Sequence, residues 1–209
     1  MTALQITEKF KTKLYKQIKE IEDNSLVEIV AVIKLQSGTY KDIPYRAGVV
    51  VLFLAYTYFM FAPAVFDVYL IYFMTIASFF VGFSIIEFIP SLKRLLTSKK
   101  RKNKQVELHA RAIFQKAGIR HTSEKIGILI YISLFEKKVT LMADSGAEEA
   151  LPGEEWQKLE AGFQAIFSTQ DTLAALLSQL QTSKAIFSEY IPSVEDDINE
   201  LPDNIDVEI

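Results

Sequence analysis

Residues 47–86 read AGVVVLFLAYTYFMFAPAVFDVYLIYFMTIASFFVGFSII, forty positions with one charged side chain, Asp67. A bilayer's hydrocarbon core of about 30 Å takes about 20 helical residues to cross. The run is too long for one crossing and suits two. Its punctuation falls near the middle. Pro63 interrupts helical hydrogen bonding, and Asp67 would cost roughly 2.5–3.5 kcal/mol at a membrane centre but little in a turn. The spacing predicts a hairpin of two transmembrane helices, residues 47–64 and 68–86, with interface anchors among Tyr45, Tyr56, Tyr58, Tyr69 and Tyr72. The competing reading is a buried core hairpin. It would need a very large core around forty nearly uncharged residues, in a chain of 209.

Working outward, seven basic residues fall within 93–104, with no acid among them. Lys34, Lys41 and Arg46 precede the run, and the turn near Asp67 has no base. The positive-inside rule then puts both flanks, and both termini, in the cytoplasm. The expected location is the inner (plasma) membrane, with two spans. Residues 1–25 carry charge throughout and lack the apolar core of a signal peptide. Lys99, Lys100, Arg101 and Lys102 form a membrane-surface basic set suited to anionic lipid heads; topogenic and solvating roles explain the same cluster. Nucleic acid is not an expected partner, because the basic cluster has no interleaved aromatics. The absence of cysteine excludes disulfides, thiol catalysis and zinc–thiolate sites.

The polar parts read as one interrupted domain. Phe10, Leu14, Ile18 and Ile21 recur at helical spacing, with Thr7 as N-cap. Residues 26–35 are a short buried strand around Glu28. One helix and one strand are too little to bury a core alone, so residues 1–46 need a partner beyond the hairpin (47–88) and the basic linker (89–104). In residues 105–190, Val106, Ala110, Ile113, Phe114 and Ala117 make a helical stripe closed by Gly118. Residues 127–134 and 138–143 are strands joined by a turn at Phe135-Glu136-Lys137. Two helices come next, one marked by Trp156, Leu159 and Phe163, the other by Leu173, Leu176, Leu177 and Leu180, with Pro192 as its stop. Residues 191–209 are an acidic tail; Ile198, Leu201 and Ile205 would clip it onto the domain. The expected fold is a three-layer α/β/α sandwich interrupted by a two-helix transmembrane hairpin.

Several separated segments resemble one known family. Residues 124–146, EKIGILIYISLFEKKVTLMADSG, resemble the central signature of TPM domains, in their small bacterial membrane branch. That family is named for thylakoid-lumen, photosystem-II repair and acetylcholine-receptor modulator proteins. Glu154-Glu155-Trp156, Val27-Glu28-Ile29-Val30, the approach Ser37-Gly38-Thr39-Tyr40-Lys41-Asp42-Ile43 and residues 197–203 match further motifs in order. One departure is Ile126, where the family usually has Thr. The resemblance implies an α/β/α sandwich and accessory roles in membrane complexes. It also implies an alternative, an acid-phosphatase-like phosphomonoester hydrolase that would use calcium or another divalent cation.

Chemistry is sparse. There is no P-loop and no Gly-rich phosphate cradle. His109 and His121 lack ligand spacing, and Ser133 has no evident His or Asp partner. The carboxylates Glu28, Glu124 and Asp144 are the candidate acidic cluster. If they meet at one sheet end, Asp144 and Glu124 would be oxygen ligands of a divalent cation, calcium or another. The bland reading has Asp144 capping the turn before Gly146, Glu124 capping a loop and Glu28 on a solvated edge. The tail acids Glu195, Asp196, Asp197 and Asp203 lack EF-hand spacing. The expected function is a membrane-anchored accessory or interaction module, its partners membrane lipids and a membrane protein.

Overall fold

A computed structural model of the chain describes residues 8–119, 122, 124–194 and 206–208. Thr7, His121 and the tail residues Glu195, Asp196, Asp197, Ile198, Leu201, Asp203 and Ile205 lie outside the described residues. The elements run α1 (Glu8–Glu22), β1 (Glu28–Lys34), α2 (Asp42–Phe61), α3 (Val68–Phe88), α4 (Pro90–Leu96) and α5 (Lys99–Lys116). Then come β2 (Gly127–Ser133), β3 (Lys138–Ala143), α6 (Ser145–Ala150), α7 (Gly153–Ala165), α8 (Thr172–Tyr190) and β4 (Asp206–Glu208). The chain divides into two compact units, one of residues 38–102 and one of residues 2–37 with 103–209.

The second unit is built on a sheet of order β3-β2-β1-β4. β1 pairs parallel with β2, Glu28 opposite Gly127 and Lys34 opposite Ser133. β3 returns antiparallel to β2, and β4 lies parallel to β1 on its other side. Every residue of β2 is buried, as expected of a central strand covered on both faces. The alternating side chains explain the layers. Ile29, Ala31 and Ile33 of β1 and Ile128, Ile130 and Ile132 of β2 face one way, into a core with α1, α7 and α8. Val30, Val32, Leu129 and Tyr131 face the other way, onto Val106, Ala110 and Phe114 of α5. The predicted stripes of α1 and α5 are thus the faces these helices bury. The result is a mixed α/β architecture with helices on both faces of an open sheet, an α/β/α arrangement.

Where sequence and structure differ, local chemistry explains it. Residues 89–104, read as a linker, are largely helical as α4 and the start of α5, because Lys, Arg and Leu are good helix formers. Helix α6 was not expected. Asp144 starts it by accepting a hydrogen bond from the Ser145 amide at 2.9 Å.

The first unit holds a helical hairpin, α2 and α3, both long and apolar enough to cross a membrane. Helix α2 begins at Asp42, five residues before the expected start, and ends at Phe61 before Pro63. Asp67 caps α3, accepting from the amides of Tyr69 at 2.9 Å and Leu70 at 3.4 Å. Ring pairs mark both ends of the hairpin, one between α2 and α3 and one between α2 and the turn. The Tyr45 and Phe83 rings are 5.1 Å apart, and those of Phe59 and Phe66 are also 5.1 Å apart. Gly48 and Gly82 let the backbones approach. A Cβ at Gly48 would lie 2.8 Å from the Phe79 ring, and one at Gly82 would lie 2.7 Å from Val51. This close packing needs no GxxxG repeat, because the two glycines sit on opposite helices.

Candidate functional site

The register of the sheet places the three predicted carboxylates at one end of it. Glu28 opens β1 opposite Gly127, the first residue of β2. The Asp144 amide donates to the Gly127 carbonyl at 2.9 Å, so Asp144 sits one strand further along. Glu124 lies in the loop leading to β2. Gly146 is packed against the Glu124 and Lys125 carbonyls, where any side chain would collide. Proximity along the sheet end does not make a ligand set. Among the described residues, no group of three or more His, Cys, Asp or Glu side chains is arranged to hold a metal ion. Glu124 is exposed and Glu28 half-buried. Asp144 uses Oδ1 to cap α6, while its Oδ2 is buried without a hydrogen-bond partner. His109 is in α5, as expected, and its Nδ1 lies 3.0 Å from the Gln105 carbonyl of its own helix.

The opposite end of the sheet carries a polar cluster that sequence reasoning missed. Ser37 lies just past β1, Tyr131 and Ser133 belong to β2, and Glu136 sits in the β2–β3 turn. The Ser37 amide donates to Glu136 Oε1 and Oε2 at 3.1 and 3.2 Å. The Ser37 hydroxyl lies 2.7 Å from both the Tyr131 hydroxyl and the Ser133 hydroxyl, and Ser133 donates to Glu136 Oε2. Ser133 and Tyr131 are 0% exposed, Ser37 5% and Glu136 6%. The signal was present in Ser133 and Glu136, three apart, at the end of a wholly apolar strand. Such polar atoms must find partners inside. Ser133 does have a carboxylate partner, Glu136, but both are closed off from solvent. The cluster therefore holds the exit of β1 against the β2–β3 turn, where the Phe135 amide also donates to the Leu35 carbonyl at 2.8 Å.

A groove of about 580 Å³ runs along β3, an edge strand of the sheet. Glu107 and Arg111 of α5 line one wall and Gln157, Glu160 and Gln164 of α7 the other. The Gln164 side-chain amide imitates a neighbouring strand. It accepts from the Val139 amide at 3.2 Å and donates to the Lys137 carbonyl at 3.0 Å.

In the first unit the predicted basic set separates by role. Arg101 donates to both Asp42 oxygens, at 2.8 and 2.7 Å, and to the Thr39 carbonyl at 3.1 Å. Its guanidinium lies 5.2 Å from the Tyr40 ring centroid. The hydrogen bond to Asp42 holds the Arg101 pKa above its ordinary value. Lys102 donates to the Arg94 carbonyl at 3.1 Å. Lys99 and Lys100 are exposed. Arg101 and Lys102 are thus engaged within the unit, and Lys99 and Lys100 remain turned to the outside.

The fold and these features define an α/β/α domain with a helical hairpin in the same chain. Residues 91–186 match the family model described as the TPM domain, so the chain carries a TPM-domain-like segment. The NMR structure of BA42 protein from the psychrophilic bacterium Bizionia argentinensis is similar in fold. It has a TM-score of 0.61 at 15% sequence identity, covering 100% of this chain and 99% of that one. No curated protein matches the chain in sequence.

Proposed function

We propose that this chain is a membrane-anchored TPM-type module, of the small bacterial membrane branch that its motifs resemble, acting as an accessory to other membrane proteins. The observation that carries the reading is the surface of the hairpin. Only 17% of the most apolar window of α2 and 11% of that of α3 is buried. Phe53, Leu54, Phe73 and Phe80 are each more than 60% exposed. So continuous an apolar surface exceeds what a soluble monomer shows to water, and lipid is its natural surrounding. With the basic residues after α3, the reading places both polar parts on the cytoplasmic side of the inner membrane. Membrane lipids and a membrane protein are its partners.

Alkaline carbonate extraction and reporter fusions test the anchoring. The expected result is retention in the membrane pellet, with a reporter at residue 65 outside and one at residue 194 inside. Release into the carbonate supernatant would sink it. The accessory role is tested by quantitative crosslinking in native membranes, where repeated failure to recover one specific membrane protein counts against it. Against the phosphatase alternative stand the complete burial of the Ser133 hydroxyl and the capping role of Asp144. Hydrolysis of a generic phosphomonoester at acidic pH, lost in Asp144→Asn, would restore it.

A further inference from the structure

We infer that α4 is an interfacial helix whose apolar side enters the headgroup boundary of the bilayer and whose basic neighbours bind the phosphates of anionic phospholipids. The inference rests on the membrane reading of α2 and α3 and adds a lipid site to it. Helix α3 ends at Phe88. Ile89 leaves the helical conformation, with φ −112° and ψ 87°, and Pro90 starts α4. The chain therefore breaks direction at the end of the second apolar helix. Helix α4 has seven residues, far too few to cross a membrane.

Its side chains are divided by chemistry. Ile89, Leu92 and Leu96 fall at i, i+3 and i+7, the spacing of one helix face, and Leu95 flanks them. Leu95 is 78% exposed, Leu96 54% and Ile89 43%, and the adjoining Phe88 is 81% exposed. The charges of residues 93–104 are all basic. Lys93 is neutralised by Glu87, at 2.9 Å. Arg94 is half-buried, with its Nη1 closed off from solvent, so Lys99 and Lys100, both exposed, are the cations that reach the surface. An apolar stripe with unopposed cations beside it is the pattern of a helix lying in a membrane surface, and the charge complements an anionic phosphate rather than a zwitterionic head. Arg101 is excluded from the lipid set, because Asp42 already occupies it.

The full chain, which has no cysteine, accepts single fluorescent labels cleanly. Leu95→Cys and, as a hairpin control, Phe80→Cys carry an NBD label in nanodiscs of phosphatidylcholine alone or mixed with phosphatidylglycerol. Quenching is read with shallow and deep doxyl lipids and with aqueous iodide. In the mixed lipid the Leu95 label should be quenched several-fold more by the shallow doxyl group than by the deep one, and shielded from iodide. The Phe80 label should respond to the deep group. Lys99→Gln with Lys100→Gln, or pure phosphatidylcholine, should return the Leu95 label several-fold toward iodide access. A deep Phe80 label with an iodide-accessible Leu95 label overturns this inference and leaves the hairpin reading standing. An iodide-accessible Phe80 label overturns both. A Leu95 label shielded from iodide yet unquenched by either lipid means that protein covers α4 and overturns the lipid site. Equal shielding in both lipids overturns the anionic specificity.

Discussion

Arg101 grips both carboxylate oxygens of Asp42 in a two-pronged ion pair, Nη1 to Oδ2 at 2.8 Å and Nη2 to Oδ1 at 2.7 Å, across fifty-nine positions of sequence. It ties the first residue of α2 to the start of α5 and adds the Thr39 carbonyl and the Tyr40 ring to the same grip. Arg101→Lys keeps the charge and loses the fork geometry. With both side chains about a third exposed, the expected loss is about 1 kcal/mol, a fall of about 2–4 °C in the unfolding midpoint. Thermal unfolding of the detergent-solubilised chain reads it. Lys100→Gln, on the same cluster but exposed, should leave the midpoint unchanged; equal effects of the two would remove the special role of Arg101.

Removing Glu136 should be the more damaging change. Glu136→Ala strands the Ser37 amide inside the protein and leaves the Ser133 hydroxyl only its contact with the Ser37 hydroxyl, and the expected loss is roughly 3 kcal/mol, since a buried donor left unpaired costs more than the bond itself. Tyr131→Phe deletes one hydroxyl of the same cluster and should cost about 1 kcal/mol. Chemical denaturation distinguishes the two. A Glu136→Ala protein as stable as Tyr131→Phe would mean that the carboxylate contributes nothing beyond an ordinary hydrogen bond.

Gln164 should guard the edge of the sheet. Its amide both donates and accepts, so Gln164→Glu loses the donor to Lys137 and Gln164→Leu loses both bonds. The expected cost is about 1 kcal/mol for either. Only the Leu variant both bares the Val139 amide and lines the groove with a new apolar group, so it should aggregate faster in light scattering. Identical aggregation of Gln164→Leu and the unaltered chain would show that the edge needs no guard.

The hairpin should open when its glycines are filled. In a Tyr56→Cys, Tyr72→Cys spin-labelled background, Gly82→Leu should lengthen the inter-label distance by roughly 1–2 Å as the axes move apart to accommodate the side chain. Pulsed electron resonance in nanodiscs measures this. An unchanged distance would mean that Val51 and the Ala47 carbonyl yield without moving the helices.

Much of this was legible because it rests on local pattern. The apolar period announces α1 and the stripe of α5, the uncharged run announces the hairpin, and Pro63 with Asp67 announces its turn. The limits of α2 were less visible, because Asp42 and Arg46 look like flanking charge until Asp42 is seen paired. Strand register puts the three carboxylates at one end of the sheet. Whether side chains converge depends on rotamers and loop paths, to which period is blind, and Asp144 turned instead to cap α6.

What the sequence determined by itself is the main helices and strands, though not α4, α6 or β4, because helix and strand periods are dictated by neighbours a few residues away. It also determined that residues 1–46 had to find the rest of their core beyond the hairpin, since one helix and one strand bury too little. Tertiary structure alone decided which polar groups meet. Ser37 reaches Ser133 and Glu136, and Arg101 leaves the basic cluster to pair with Asp42. These pairings join positions 59 to 99 residues apart. No local rule records them; they arise from strand register, from helix packing and from the cost of leaving a buried donor or charge without a partner.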